Sequence, residues 1–395
     1  MSRNPTHYAR LSLLLILVGG LAIFSSSFVT TLETNFRERV LYATGGEIRA
    51  SGISTQKEVS PKVFTTAYLN NPEITDATPF FRSIAFDSTK ISNDPFTVLA
   101  IQPESFTQVA WTRDDFFMEP LEDLFASLEL SNGSALPVLA SESFLETMAY
   151  PLGMGIKIDI AGNSIPVELV KSIDFFPTLF PDSKPFLVTN LEYLRSFSGN
   201  NRIRPNEVWI ATNAVESERT ELITSLYTTP FVSEFVQDRA KLLHDTQVDP
   251  LAKAGWTALL FIAFSTVLIL SGVGFLVHSY ISFKQREKQF SLLRTLGFST
   301  NQLATVVLLE HILVIVIGMA LGTWMGARIT SIIMPFLGHD ALGYAIVPPF
   351  TMEISWGFLW ITYGAMAGLL TIITATIVVF IRATSLQRML RLGDI

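Results

Sequence analysis

Four apolar stretches govern what this chain can become: Leu11 to Leu32, Ala254–Ile281, Leu303–Met334 and Ile354–Ile381. Each is long enough to cross about 30 Å of hydrocarbon. Lipid offers the backbone no hydrogen-bond partners, so stretches of this length fold as helices, whose bonds are internal. The first begins after Arg3 and Arg10, a start that a cleaved signal peptide shares. Its apolar character continues through Phe28, Val29 and Leu32, however. "TLETNFRERVLYA" then runs on with no Gly or Pro until Gly45. We read it as an anchor whose helix continues beyond the membrane.

Charge divides the chain in the same places. Residues 31–253 carry 18 Lys and Arg against 30 Asp and Glu, a net of −12. The remainder carries 10 against 5, a net of +5, which together give the chain's −7. An acidic domain is thus joined to a cationic apolar part, which argues against nucleic acid as the large domain's partner. Arg3, Arg10, Lys284, Arg286, Lys288, Arg294, Arg382, Arg388 and Arg391 flank the spans on one side, and the loop from Pro335 to Glu353 has no Lys or Arg. The excess of positive charge in short loops puts both termini and the 284–300 segment in the cytoplasm of a multi-pass cell-membrane protein.

The expected fold is therefore an α-helical membrane protein with four transmembrane helices and a large α+β extracytoplasmic domain between helices 1 and 2. Its parts are a cytoplasmic N-terminus with helix 1 (1–32), the outer domain (33–253), helix 2 (254–281), a cytoplasmic coupling helix and turn (282–302) and helix 3 (303–334). An outer loop (335–353), helix 4 (354–381) and a cytoplasmic tail (382–395) complete it.

Within the outer domain, short β-branched runs bounded by Gly, Pro, Asn or Asp read as strands: 96–102, 135–141, 155–160, 165–173, 185–189 and 207–212. "AGN" at 161–163 reads as a hairpin turn. Helical runs are expected at Glu119–Leu130, Glu142–Ala149, Ser217–Tyr227 and Phe231–His244. The aromatic loop holding Phe175, Phe176, Phe180 and Phe186 reads as core rather than as a lipid- or partner-facing surface.

The chain has no cysteine, so disulfides and thiolate metal sites are excluded. It has no Gly-Lys dipeptide for a phosphate loop, no H-E-x-x-H and no G-x-S-x-G. Asp114, Asp115, Glu119, Glu122 and Asp123 form an acidic cluster without metal-ligand spacing, best read as a solvated face. We expect no cofactor, no metal and no enzyme active site; any ATP would be hydrolysed by another chain.

In the third apolar stretch Gly318, Gly322 and Gly326 recur every four residues, and Gly364 and Gly368 repeat the spacing in the fourth. Such positions let a neighbouring helix approach closely. Glu310 and His311 enter the third stretch early, where a helix–helix contact is favoured over a proton relay.

"FKQREKQFSLLRTLGFSTNQL" joins the second and third stretches. Phe283, Phe290, Leu293 and Gly297 share one side, with Arg286, Glu287 and Arg294 among the charges around them, so the run is an amphipathic cationic helix. Gly297 suits a helix end, and Ser299 with Gln302 matches a capping box that restarts one. Such a helix can lie on anionic lipid or dock a soluble partner.

These residues resemble the FtsX/MacB-type permease domain of ABC transporters. The matching pattern is Arg286, Leu292, Leu293, Arg294, Leu296, Gly297, Glu310, Gly318 and Gly322, with Gln289 where the family pattern has an acid. The resemblance implies a type VII permease that couples ATP hydrolysis by separate cytoplasmic ABC ATPase subunits to motion of the outer domain. Phe283, Arg286, Glu287, Phe290, Leu293, Arg294 and Gly297 would form the coupling element. It also implies a second permease half, whether another copy or a paralogue, since the chain resembles one half of longer two-half permeases. Export or extraction of a lipid, lipoprotein or peptide is the expected function. The alternatives are a non-transporting regulator of an extracytoplasmic cell-wall hydrolase and a sensor or scaffold without ATPase coupling.

Overall fold

A computed structural model describes residues 5–55, 59–90, 94–129, 134–199, 203–247, 250–339, 345–354 and 356–383. The chain divides into two units. A helical unit comprises Met1–Thr34, Asp249–His339 and Phe350–Ile395, and an α+β unit comprises Asn35–Val248 and Asp340–Pro349.

The helical unit draws on four helices: α1 (Pro5–Thr44), α9 (Pro250–Thr295), α10 (Thr300–Leu337) and α11 (Trp356–Ala383). Helix α1 runs without a break past the apolar stretch and gives its last turns to the α+β unit. Among the described residues three helical segments are long and apolar enough to cross a membrane: Ser12–Thr44, Thr257–Arg286 and Asn301–Phe336. In α11 the described apolar segment is shorter, Leu359–Ile373.

The glycines of α10 find their neighbour in α1. A Cβ added at Gly318 would lie 2.7 Å from the Leu15 Cβ, at Gly322 2.6 Å from the Ile16 carbonyl oxygen, and at Gly326 2.6 Å from the Gly20 carbonyl oxygen. The two backbones are in contact here, which side chains would prevent. Gly364 and Gly368 differ: an added Cβ meets nothing within 4 Å at either one. The tight packing expected of them is absent within the described residues, because equal spacing gives a smooth face and does not supply a neighbour. Where α11 begins, Glu353 is held by α1: Thr34 Oγ1 donates to its carboxylate at 2.9 Å, and its own N–H donates to Thr31 Oγ1 at 3.1 Å.

Among the described residues the α+β unit has nine strands. They are β1 (Ile48–Ser51), β2 (Ile74–Asp87), β3 (Phe96–Ile101), β4 (Leu136–Ser141), β5 (Gly155–Ile160), β6 (Asn163–Ile173), β7 (Phe186–Asn190), β8 (Glu207–Thr212) and β9 (Phe235–Asp238). Six of them close on themselves: β2 pairs with β3, β3 with β7, β7 with β4, β4 with β6, β6 with β5, and β5 returns to β2. Closure removes exposed edges. The side chains pack Phe81, Val98, Val138, Ile158, Val167 and Leu187 into one core. The first half of β2 instead pairs with β8, which with β1 and β9 forms the rest of the sheet. One 14-residue strand therefore serves both parts.

Among the described residues seven shorter α-helices accompany the strands: α2 (Pro61–Leu69), α3 (Pro103–Val109), α4 (Leu121–Glu129), α5 (Glu142–Met148), α6 (Leu191–Phe197), α7 (Glu216–Leu226) and α8 (Arg239–Gln247). The hairpin turn between β5 and β6 is Ala161-Gly162, both with positive φ, flanked by the paired Ile160 and Asn163. The helix expected over Phe231–His244 is corrected. Phe235–Asp238 is strand β9, paired with β1, and the helix starts only at Arg239. Backbone pairing with β1 outweighs the local helical preference. The aromatic loop is mostly core, with Phe176 and Phe186 fully buried and Phe180 exposed.

A buried charge cluster joins three of these strands, β1, β2 and β8. The Glu207 carboxylate is 2% exposed and accepts from Arg49 Nε at 2.8 Å, Arg82 Nε at 2.7 Å and Trp209 Nε1 at 2.8 Å. Burial alone pushes Glu207 up; the two guanidiniums outweigh it and hold its pKa at about 2. Burial in turn brings Arg49 down, so the cluster as a whole contributes less than Glu207's shift taken alone. Trp209 also fixes the end of α1. Gly45 has φ +71°, and a Cβ there would sit 2.5 Å from the indole ring.

Candidate functional site

The candidate site is the hairpin between α9 and α10. The structure corrects the separate coupling helix expected over 282–302. Helix α9 continues without interruption for 46 residues through the charged run to Thr295, because no residue in that run breaks a helix. At 1.5 Å per residue it is about 69 Å long, more than twice the hydrocarbon thickness.

The turn follows the local sequence. Gly297 adopts φ +97°. Phe298 N–H reaches back to the Leu293 carbonyl at 3.1 Å, the 6→1 bond of a glycine-ended helix. Ser299 then caps α10. Its Oγ accepts from Gln302 N–H at 3.3 Å, while the Gln302 side chain accepts from Ser299 N–H at 2.9 Å.

Below the turn, Arg286 meets Glu310 with both arms of its guanidinium. Nη1 donates to Oε2 at 2.6 Å and Nη2 to Oε1 at 3.0 Å. The bidentate geometry makes this a strong, directional pair. The next residue, His311, is buried between Ser279 Oγ (3.1 Å), the Val307 carbonyl (2.8 Å) and the edge of Phe275. Glu310 and His311 are thus helix–helix contacts. The carboxylate that would be costly alone near lipid is matched by a charge.

Of the residues expected to form the coupling element, Arg286 is paired as described, Leu293 is half-buried and Gly297 makes the turn. Phe283, Glu287, Phe290 and Arg294 lie on α9, and their side chains fall outside the described residues. The structure adds Leu292 (65% exposed), Leu296 (71%) and Phe298 (48%), which project apolar surface at the tip. Sequence reasoning placed Leu292 and Leu296 in the permease pattern but not in the coupling element. The Arg286–Glu310 pairing had a usable signal: the two residues lie at comparable distances on either side of Gly297, and an antiparallel hairpin brings such residues together. Gly19 and Gly20, which receive the α10 glycines, were a visible pair inside an apolar stretch.

Residues 261–387, which contain this hairpin, match the family described as FtsX-like permease C-terminal. That stretch, about a third of the chain, is similar to FtsX-like permeases. No curated protein matches the chain. Solved structures also match, two of them each over about half of the chain. The periplasmic region of MacB from Actinobacillus actinomycetemcomitans has 12% identity and a TM-score of 0.30, over 52% of this chain and 94% of that one. The extracellular domain of the ABC-type transporter YknZ from Gram-positive bacteria has 13% identity and a TM-score of 0.28, over 51% and 94%.

Proposed function

We propose that this FtsX-like chain is the permease subunit of an ABC transporter. It receives work at the α9–α10 hairpin from a separate cytoplasmic ATPase and passes it to an extracytoplasmic α+β unit, for export or extraction of a lipid, lipoprotein or peptide. The observation that carries this reading is the hairpin itself. It lies within the matched FtsX-like segment, it is held by a bidentate ion pair and a double cap, and it presents exposed Leu292, Leu296 and Phe298 beside a run of cationic residues. Apolar side chains rimmed by charge form a docking surface for a protein. The cationic run puts the hairpin in the cytoplasm. The partners are cytoplasmic ABC ATPase subunits and a second permease half.

Co-purification of the full chain with its cognate ABC ATPase tests this. Leu292→Asp with Leu296→Asp is expected to reduce the recovered ATPase at least tenfold while the chain remains in the membrane. Unchanged recovery overturns ATPase docking at this hairpin. Reversing Arg286 is a poorer probe, because it also breaks the pair with Glu310.

A further inference from the structure

Within the helical unit, α1 and α9 enclose a cavity of about 280 Å³. Leu260, Phe261 and Phe264 of α9 form an apolar wall, while Ser25 of α1, Thr257 of α9 and Glu33 of α1 line it with polar groups. The spacing follows from helix geometry. Ser25 and Glu33 are two turns apart on one face of α1, and 257, 260, 261 and 264 form one face of α9.

Ser25 is the telling residue. It is 5% exposed, and its Oγ makes no hydrogen bond. Some helical hydroxyls donate to the carbonyl four residues back, as Thr266 of α9 does to Ile262, whereas Ser25, like Ser27 of α1 and Ser271 of α9, has no partner among the described residues; of these three, Ser25 lines the cavity. A buried hydroxyl left unsatisfied costs about 1–3 kcal/mol. The cavity thus offers a greasy wall, a buried donor without an acceptor, and a carboxylate two turns further along α1. At the lower end of ligand-pocket volumes, about 300 Å³, it has room for part of one chain rather than a whole two-chain lipid.

We propose that this cleft binds one acyl chain of a lipid that carries an ester carbonyl and an ammonium head group. The chain lies against Leu260, Phe261 and Phe264, the carbonyl accepts from Ser25 Oγ, and the ammonium faces the Glu33 carboxylate. Such binding is independent of ATPase docking at the hairpin and stands or falls separately from it.

Native mass spectrometry of the full chain in detergent, titrated with dioleoyl phosphatidylethanolamine or dioleoyl phosphatidylglycerol, tests the site. One retained phosphatidylethanolamine is expected, with at least fivefold preference over phosphatidylglycerol. Thr257→Trp, at an exposed position, is expected to fill the cleft and weaken binding at least tenfold. Leu270→Trp, exposed elsewhere on α9, is expected to leave it unchanged. Glu33→Gln is expected to remove the head-group preference while keeping the chain bound. If Thr257→Trp and Leu270→Trp behave alike, the retained lipid is only annular and the site is refuted. Equal binding of the two lipids, unaltered by Glu33→Gln, refutes the ammonium assignment.

Discussion

Glu207 in the α+β unit and Glu310 in the helical unit both hold arginine, in different surroundings. Glu207 is enclosed, with two guanidiniums and an indole N–H around a carboxylate 2% exposed. Glu310 faces Arg286 across a hairpin, at 17% and 28% exposure. The glycines repeat the contrast within one unit. Gly318, Gly322 and Gly326 are pressed against the α1 backbone, whereas Gly364 and Gly368 face open space among the described residues. Enclosure, rather than residue type or spacing, decides what each group contributes.

The largest effect should come from the enclosed carboxylate. Glu207→Ala leaves two buried guanidiniums without a counter-charge and is expected to destabilise the protein by about 3–5 kcal/mol, read as a fall in the thermal midpoint of the full chain in detergent. The same group sets an acid limit. Its folded pKa of about 2 lies below the ordinary 4.5, so its contribution is complete above pH 4.5 and is lost as pH falls toward 2. The thermal midpoint of the wild type should drop across that window. Glu207→Gln, which starts lower, should drop less; parallel curves would show that Glu207 is not what titrates.

Next in size is the helix contact. Gly322→Ala puts a methyl 2.6 Å from the Ile16 carbonyl oxygen and should cost about 1–3 kcal/mol as the helices separate. Loss of a disulfide cross-link engineered between α1 and α10 would report the separation directly. Arg286→Ala should cost about 1 kcal/mol, in keeping with a partly exposed pair, and Glu310→Gln should recover part of it by removing the stranded charge. Smallest is Gly364→Ala, expected within about 0.5 kcal/mol of the wild type. A loss comparable to that of Gly322→Ala would mean that α11 is covered by another chain.

Much of the fold was legible because membrane helices and short buried strands announce themselves by composition. The strands β5 and β8 coincide with the runs "GIKIDI" and "EVWIAT". The strand β2 escaped, since "ITDATPFFRSIAFD" mixes polar residues with a proline and changes partner midway, so no single alternation runs through it. The four-residue β1 and β9 are too short to carry a pattern and exist only through pairing with each other and β8. At the hairpin, Gly297, Ser299 and Gln302 could be read locally, because each acts within four residues. The pairing of Arg286 with Glu310 depends on how two helices align, and the exposure of Leu292 and Leu296 depends on what does not cover them.

The shared strand β2 has a consequence for how the protein is made. Its first half pairs with β8, whose residues follow more than 120 positions later, and β1 waits for the same strand. During synthesis both stretches are complete and without this partner until the chain has been extended past Thr212. Such non-local pairing folds slowly and leaves strand edges open to the wrong neighbour meanwhile. The nascent chain thus needs protection through most of the translation of this unit. Truncations that end between Asp87 and Glu207 should accumulate as aggregates rather than as smaller folded domains.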